Sequence, residues 1–191
     1  MKDTTMFGNV FMQLDSVIGS VSSVLFGSTN LAKLPVSELV HFFGLNLSVC
    51  NRSIDGLSPS AALTCLNECV LMLKPRKVFL GFGDELTDFS ESSVTSYIYA
   101  YEELINQIAS AHDCEIYILS PIGTSSELLD LSARFRKMAI DSGCNYLDIS
   151  ECLHSDHPML SLFKRLGHYI RDSRISFTDA MDLATLSYYN K

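Results

Sequence analysis

The sequence predicts an open α/β/α sandwich of three layers built around five parallel strands. Three observations carry the prediction. Short β-rich apolar runs alternate with amphipathic helical stretches along the whole chain. Alternation of that kind implies βαβ units with right-handed crossovers. The length of 191 residues fits one domain able to bury a full core. Hydrophobic residues make up 47% and charged residues only 19%, which excludes intrinsic disorder.

The elements follow in order. Residues 21–26 (VSSVLF) are short, β-branched and bounded by Gly27, so they read as a strand. Residues 35–43 (PVSELVHFF) begin with a proline suited to a first helical turn and stop at Gly44, a helix-ending glycine. Residues 45–50 (LNLSVC) form the second strand. Ser58 and Pro59 open a helix reaching Leu73 and closed by Pro75, with Ala62, Leu66, Cys69, Val70 and Leu73 at helical spacing. Residues 78–82 (VFLGF) are the third strand. A long helix covers 94–111, with Ile98, Tyr101, Leu104, Ile105 and Ile108 on one side.

Residues 115–120 (EIYILS) are the fourth strand, ended by Pro121. Thr124 and Glu127 form a T-x-x-E capping box for a helix to about residue 140. Residues 146–149 are a short fifth strand. Residues 159–170 are helical, and Thr178 caps a final helix to Tyr188. Residues 1–20 stand apart as an N-terminal extension to a single domain over 1–191. In a doubly wound sheet the ligand sits beyond the carboxyl ends of the strands, where the strand order reverses. The functional residues are therefore sought at 27–30, 51–56, 83–88 and after the fifth strand.

Composition excludes several functions. Lys and Arg number 14 against 22 Asp and Glu, a formal charge of −8, with a pI near 5.0. Nucleic acid and anionic membrane surfaces both call for a basic face. No stretch approaches 18 uninterrupted apolar residues, and Asp3 and Asp15 break any signal-peptide pattern. The cysteines at 50, 65, 69, 114, 144 and 152 form no C-x-x-C, so free thiols and a cytoplasmic setting are expected.

Four segments resemble the SGNH (GDSL-type) hydrolases. Asn51-Arg52-Ser53-Ile54-Asp55-Gly56 is similar to that family's N-R-G-I-x-G block. Leu71-Met72-Leu73-Lys74-Pro75 follows like its L-x-L-K-P. Phe26-Gly27-Ser28-Thr29 stands where the family has F-G-D-S. Ile175-Ser176-Phe177-Thr178-Asp179-Ala180 resembles I-H-L-T-D-A. The likeness runs from about residue 21 to the end, and it implies the flavodoxin-like fold of that family and an ester hydrolase or lipase/acylhydrolase ancestry.

In that family a serine of the first block attacks the acyl carbonyl. A histidine near the C-terminus takes its proton, oriented by an aspartate three residues earlier. A glycine N–H and an asparagine amide hold the oxyanion. By position, the resemblance puts Thr29 at the nucleophile, Gly56 at the glycine, Asp84 at the asparagine, Ser176 at the histidine and Ser173 at the aspartate. Only Gly56 keeps the family residue.

Each departure has a chemical consequence. A threonine hydroxyl needs a base to become a nucleophile, and Ser176 is no base near pH 7. An ionised Asp84 accepts hydrogen bonds and donates none. Losing one oxyanion donor costs about 100- to 1,000-fold in rate. A carboxylate about 4 Å from the oxyanion adds roughly 4 kcal/mol of repulsion at an effective dielectric near 20.

The expectation is a fold that has lost ester hydrolysis and binds a small polar, acyl or carbohydrate ligand, or a partner such as a second copy. It needs no cofactor or metal. The alternative is an active esterase with a rearranged constellation, Ser28 or Thr29 with His154 or His168. His154, Asp156 and His157, with Glu151 three residues before His154, echo the family's D-x-x-H but lie too early in the chain and read as a polar loop. His41 and His112 read as structural. Asp84, Glu85 and Asp88 cluster after the third strand, and Asp84 is expected to pair with Arg52 or Arg174. Tyr97, Tyr101 and Leu104 read as a core-facing helix surface.

Overall fold

Runs that are apolar on both faces of the pleat form the centre of a parallel sheet, because helices cover it on both sides. The computed structural model describes residues 10–11, 21–171 and 181. Its strands are β1 (Ser23–Gly27), β2 (Val49–Asn51), β3 (Lys77–Gly81), β4 (Glu115–Leu119) and β5 (Asn145–Leu147). They pair in parallel in the order β2-β1-β3-β4-β5. The order reverses between β1 and β3, so a crevice opens beyond their carboxyl ends.

The helices are α1 (Thr29–Ala32), α2 (Val36–Phe42), α3 (Pro59–Ala62), α4 (Leu66–Cys69), α5 (Glu91–Ala111), α6 (Ser126–Asp141) and α7 (Pro158–Ile170). Alternation along the strands sorts the core into two layers. Val24, Phe26, Val78, Leu80, Ile116 and Ile118 face Tyr101, Leu104, Ile105 and Phe135. Leu25, Phe79, Tyr117 and Leu119 face Leu31, Phe163 and Leu166. The three-layer arrangement is the predicted one.

The differences are local. The single helix expected from Ser58 to Leu73 is instead α3, α4 and a 3-10 turn at Leu71–Leu73. The Thr64 hydroxyl donates to Ala61 O at 2.7 Å, and the Thr64 and Cys65 amides bond three residues back rather than four. This tightens the chain out of the α-helix, a competition that side-chain hydroxyls offer any helix. α5 begins at Glu91, ahead of the expected residue 94.

The capping box is displaced by one. Ser125, not Thr124, is the N-cap of α6, and its Oγ accepts from Leu128 N at 3.3 Å. β2 is shorter than expected: Ser48 receives the Ser22 and Ser23 amides and only Val49–Asn51 continue the ladder. α1 was not anticipated. Met181 is helical; the rest of the expected helix from Thr178 to Tyr188 lies outside the described residues.

One close approach fixes the geometry of the site. Gly27 of β1 is in register with Gly81 of β3. A Cβ on Gly27 would lie 2.0 Å from the Gly81 carbonyl oxygen, so no other residue fits without moving the strand. The ladder then runs one step further, with Ser28 N donating to Gly81 O at 2.8 Å.

Candidate active site

The turn from β1 into α1 decides which hydroxyl is presented. Ser28 is extended, at φ −97° and ψ −152°, and has 0% exposure. Its Oγ is buried and has no hydrogen-bond partner among the described residues. Thr29, one residue on, is partly exposed, and its Oγ1 accepts from Gly56 N at 3.1 Å. Thr29 is therefore the hydroxyl that meets the glycine N–H.

The segment after β2 acts as a brace for that N–H. Arg52 N donates to Leu25 O at 2.8 Å and Ile54 N to Gly27 O at 3.0 Å, which carries the β1 pairing past β2. Asn51 Nδ2 reaches the Leu31 and Leu34 carbonyls at 2.6 and 3.2 Å, while its Oδ1 accepts from Ser53 N at 3.1 Å. Ile54 and Leu57 are buried and anchor the turn. Gly56, at φ +73°, adopts the left-handed region that glycine enters without a steric penalty. Arg52 is buried, and its guanidinium lies 4.5 Å above the Phe11 ring.

Asp84 follows β3 and faces α1. Its Oδ2 accepts from Asn30 N at 2.6 Å, a short charge-assisted bond. Asp84 thus bonds to the α1 backbone rather than to Arg52; Arg174 lies outside the described residues. Asp84 Oδ1 is buried and has no partner among the described residues.

Glu85 follows Asp84 and turns toward α5. Its Oε2 accepts from Gly83 N at 3.0 Å, and its Oε1 accepts from the Tyr97 hydroxyl of α5. Burial pushes the Glu85 carboxyl up to about 7, against the two donors, and the adjacent Asp84 adds to the rise. Burial, reinforced by Glu85, holds the Tyr97 hydroxyl well above its ordinary range. The available signal was the buried stripe itself: a buried tyrosine hydroxyl needs a partner. Asp88 does not join the cluster. It accepts from Ser90 N and from the hydroxyls of Ser90 and Ser93 at the start of α5, and the Ser93 bond holds its carboxyl below the usual range.

None of the described histidines bonds to Thr29 or Ser28. His154 ends a 3-10 turn at Ser150–His154 and is exposed, as are Asp156 and His157 before α7. His168 is exposed on α7, and His112 contacts Pro75 O at 3.0 Å through Nε2. Ser173 and Ser176 lie outside the described residues. Among those described, no three His, Cys, Asp or Glu side chains gather to hold a metal ion. No described helix is long and apolar enough to cross a membrane.

Space at the site is small. A cavity of about 10 Å³ lies between Asn30, Asp84, Ser120, Ile122 and Ile149, roughly one water. A groove of about 400 Å³ runs between α3 and α5, lined by Pro59, Ser60, Ser92, Ser96 and Tyr97. Tyr97 lines this groove and its hydroxyl bonds Glu85.

No protein-family model matches the chain, and neither does any curated protein. Solved structures do match. A Streptococcus pneumonia protein named for platelet activating factor superposes with a TM-score of 0.68 at 16% identity, covering 98% of this chain and 92% of its own. Axe2, an acetylxylan esterase from Geobacillus stearothermophilus, gives 0.61 at 14% identity over 82% and 97%. A lipase/acylhydrolase from Enterococcus faecalis gives 0.57 at 17% over 89% and 96%. The chain has an SGNH hydrolase-like fold, and the structures it resembles include an acetylxylan esterase and a lipase/acylhydrolase.

Proposed function

We infer that this protein is an SGNH-like domain that no longer hydrolyses esters and binds a small polar ligand. One observation carries the reading. At the position where the family resemblance expects an amide donor, Asp84 offers a carboxylate, and that carboxylate takes up the Asn30 N–H. Hydrolysis of an ester builds negative charge on the carbonyl oxygen, and preorganised donors are what stabilise it. On that resemblance an acceptor stands where the family has a donor, and the Gly56 N–H is engaged by the Thr29 hydroxyl. No imidazole of the described residues is bonded to that hydroxyl to act as its base.

The groove beside Tyr97, with its serine-lined wall, suits a ligand that forms hydrogen bonds. The carbohydrate esters of the acetylxylan esterases among the neighbours are the first class to screen.

The competing reading is an active esterase that uses Thr29 or Ser28. Incubation with p-nitrophenyl acetate and with a fluorophosphonate probe separates the two. The expected result is no labelling at either residue and no turnover that Thr29→Ala removes. Stoichiometric labelling of Thr29 or Ser28, or turnover lost in either alanine variant, overturns the proposal.

A further inference from the structure

A crossover helix of an α/β/α sandwich turns one face to the sheet and the other to water. On α6 the outer face is not fully polar. Leu129 is 60% exposed and Ile140 72%, and the neighbouring α5 adds Tyr99 at 71%. These are three of the six large apolar side chains that the described residues expose. Leu129, Ala133, Lys137 and Ile140 recur at helical spacing and share one exposed side of α6. They border a groove of about 400 Å³. Lys137 also borders a second groove of about 330 Å³ between α5 and α6, together with Tyr99 and Asp141. The two grooves meet at Lys137, so the exposed apolar groups belong to one continuous face, the kind of patch that marks an interaction site.

The charges on this face point to its partner. Arg134 is taken up within the chain, 2.9 Å from both Glu91 and Asp130. Lys137 and Asp141 stand one turn apart on the same side of α6. Neither forms an ion pair with the other or with any group among the described residues. Opposite charges spaced by one turn are matched by a copy of the same helix laid antiparallel across a two-fold axis. Lys137 then faces the partner's Asp141, and Asp141 faces the partner's Lys137, the reciprocity of a symmetric interface. The axis passes beside Ile140 and brings that side chain and Tyr99 to the centre. The formal charge of −8 makes two copies repel, and a face carrying both signs is where they approach at least cost.

We propose that α6, with Tyr99 of α5, is the interface of a symmetric dimer of this chain in which each Lys137 pairs with the partner's Asp141. A tyrosine anchor within a rim of charge has the make-up of a binding surface. The face is at the small end of interfaces, which use about 20–30 residues a side, so micromolar association is expected.

Sedimentation velocity on the intact chain from about 1 to 500 µM, which brackets micromolar association, tests the proposal. A concentration-dependent shift from monomer to dimer is expected. Tyr99→Ala, Lys137→Glu and Asp141→Lys should each weaken the dimer about tenfold or more. Met72→Ser, which removes an exposed apolar side chain elsewhere, should leave it unchanged. Lys137→Glu mixed with Asp141→Lys should dimerise again, because each altered charge then meets its opposite in the other chain. All four positions are exposed, so far-UV circular dichroism should show the parent fold in every variant. A chain that stays monomeric at every concentration overturns the proposal and leaves the face to a different protein. A dimer that survives Tyr99→Ala and Lys137→Glu overturns it too, as does a mixture of the two charge variants that stays monomeric.

Discussion

Replacing Glu85 by glutamine should change how stability depends on pH more than it changes stability at any one pH. In the folded chain the Glu85 carboxyl ionises near 7 rather than at its ordinary 4.5, chiefly because it is buried. Its folded pKa is raised, so between those values the folded state holds more proton than the unfolded state. Stability then falls as pH rises through that window. Below about 4.5 both states are protonated and Glu85 contributes no pH dependence. Above about 7 the full penalty is present, about 3 kcal/mol at 1.4 kcal/mol per tenfold change in acidity.

Glutamine cannot ionise, and its amide oxygen can still accept from Tyr97 or Gly83. The variant should match the parent near pH 4.5 and exceed it by about 3 kcal/mol at pH 8. In a chain this long that is roughly 6–12 °C in melting temperature. The chain has no tryptophan, so far-UV circular dichroism during urea or thermal unfolding is the suitable probe. Asp88, Glu91, Glu127 and Asp148, whose carboxyls are held low by hydrogen bonds and ion pairs, lose stability as pH falls. They do so in both proteins and cancel in the difference. A stability difference between variant and parent that is the same at pH 5 and pH 8 would refute the reasoning.

Three glycine substitutions should separate steric from conformational causes. Gly27→Ala sets a Cβ 2.0 Å from a backbone oxygen of β3; it should destabilise by about 3 kcal/mol or more, beyond ordinary overpacking, because the neighbour is backbone and cannot rotate away. Gly81→Ala meets the Leu31 side chain, at 2.6 Å from Cδ1 and 2.8 Å from Cγ, which yields more readily than backbone, so a smaller loss of about 1–3 kcal/mol is expected; equal losses in the two variants by urea denaturation would contradict this account. Gly56→Ala meets nothing within 4 Å but keeps a φ of +73°, so it should cost about 1–2 kcal/mol from backbone strain alone. In that variant the Thr29 hydroxyl should remain bonded to the residue 56 amide, which the amide proton shift would report.

The parts of the fold that were legible in the sequence are those where burial on both faces leaves little choice of residue. β1, β3 and β4 read as strands because Val24 to Phe26, Val78 to Leu80 and Ile116 to Leu119 are apolar at nearly every position and buried on both sides of the sheet. α1 was not legible: four residues with one buried leucine hold no period to detect. The break between α3 and α4 was hidden for the opposite reason. Ala62, Leu66, Cys69 and Val70 keep helical spacing and all reach the core, yet the Thr64 hydroxyl redirects the chain between them. At α6, Thr124 and Ser125 are both able caps, and only the observed bond from Leu128 N selects the second.

The candidate site divides in the same way. Residue type at a position was readable: an acid at 84, a glycine at 56, serine and threonine side by side at 28 and 29. The pairing of donors with acceptors was not, because the decisive bond joins Asn30 to Asp84 across 54 positions of the chain. That bond changes what Asp84 means. Taken alone, an acid at 84 only removes a donor from an oxyanion site. Bonded to Asn30 and set beside Glu85, it becomes one half of a cluster with four acceptors and three donors. Its Oδ2 ties the start of α1 to the end of β3, a structural task that calls for an acceptor rather than a donor.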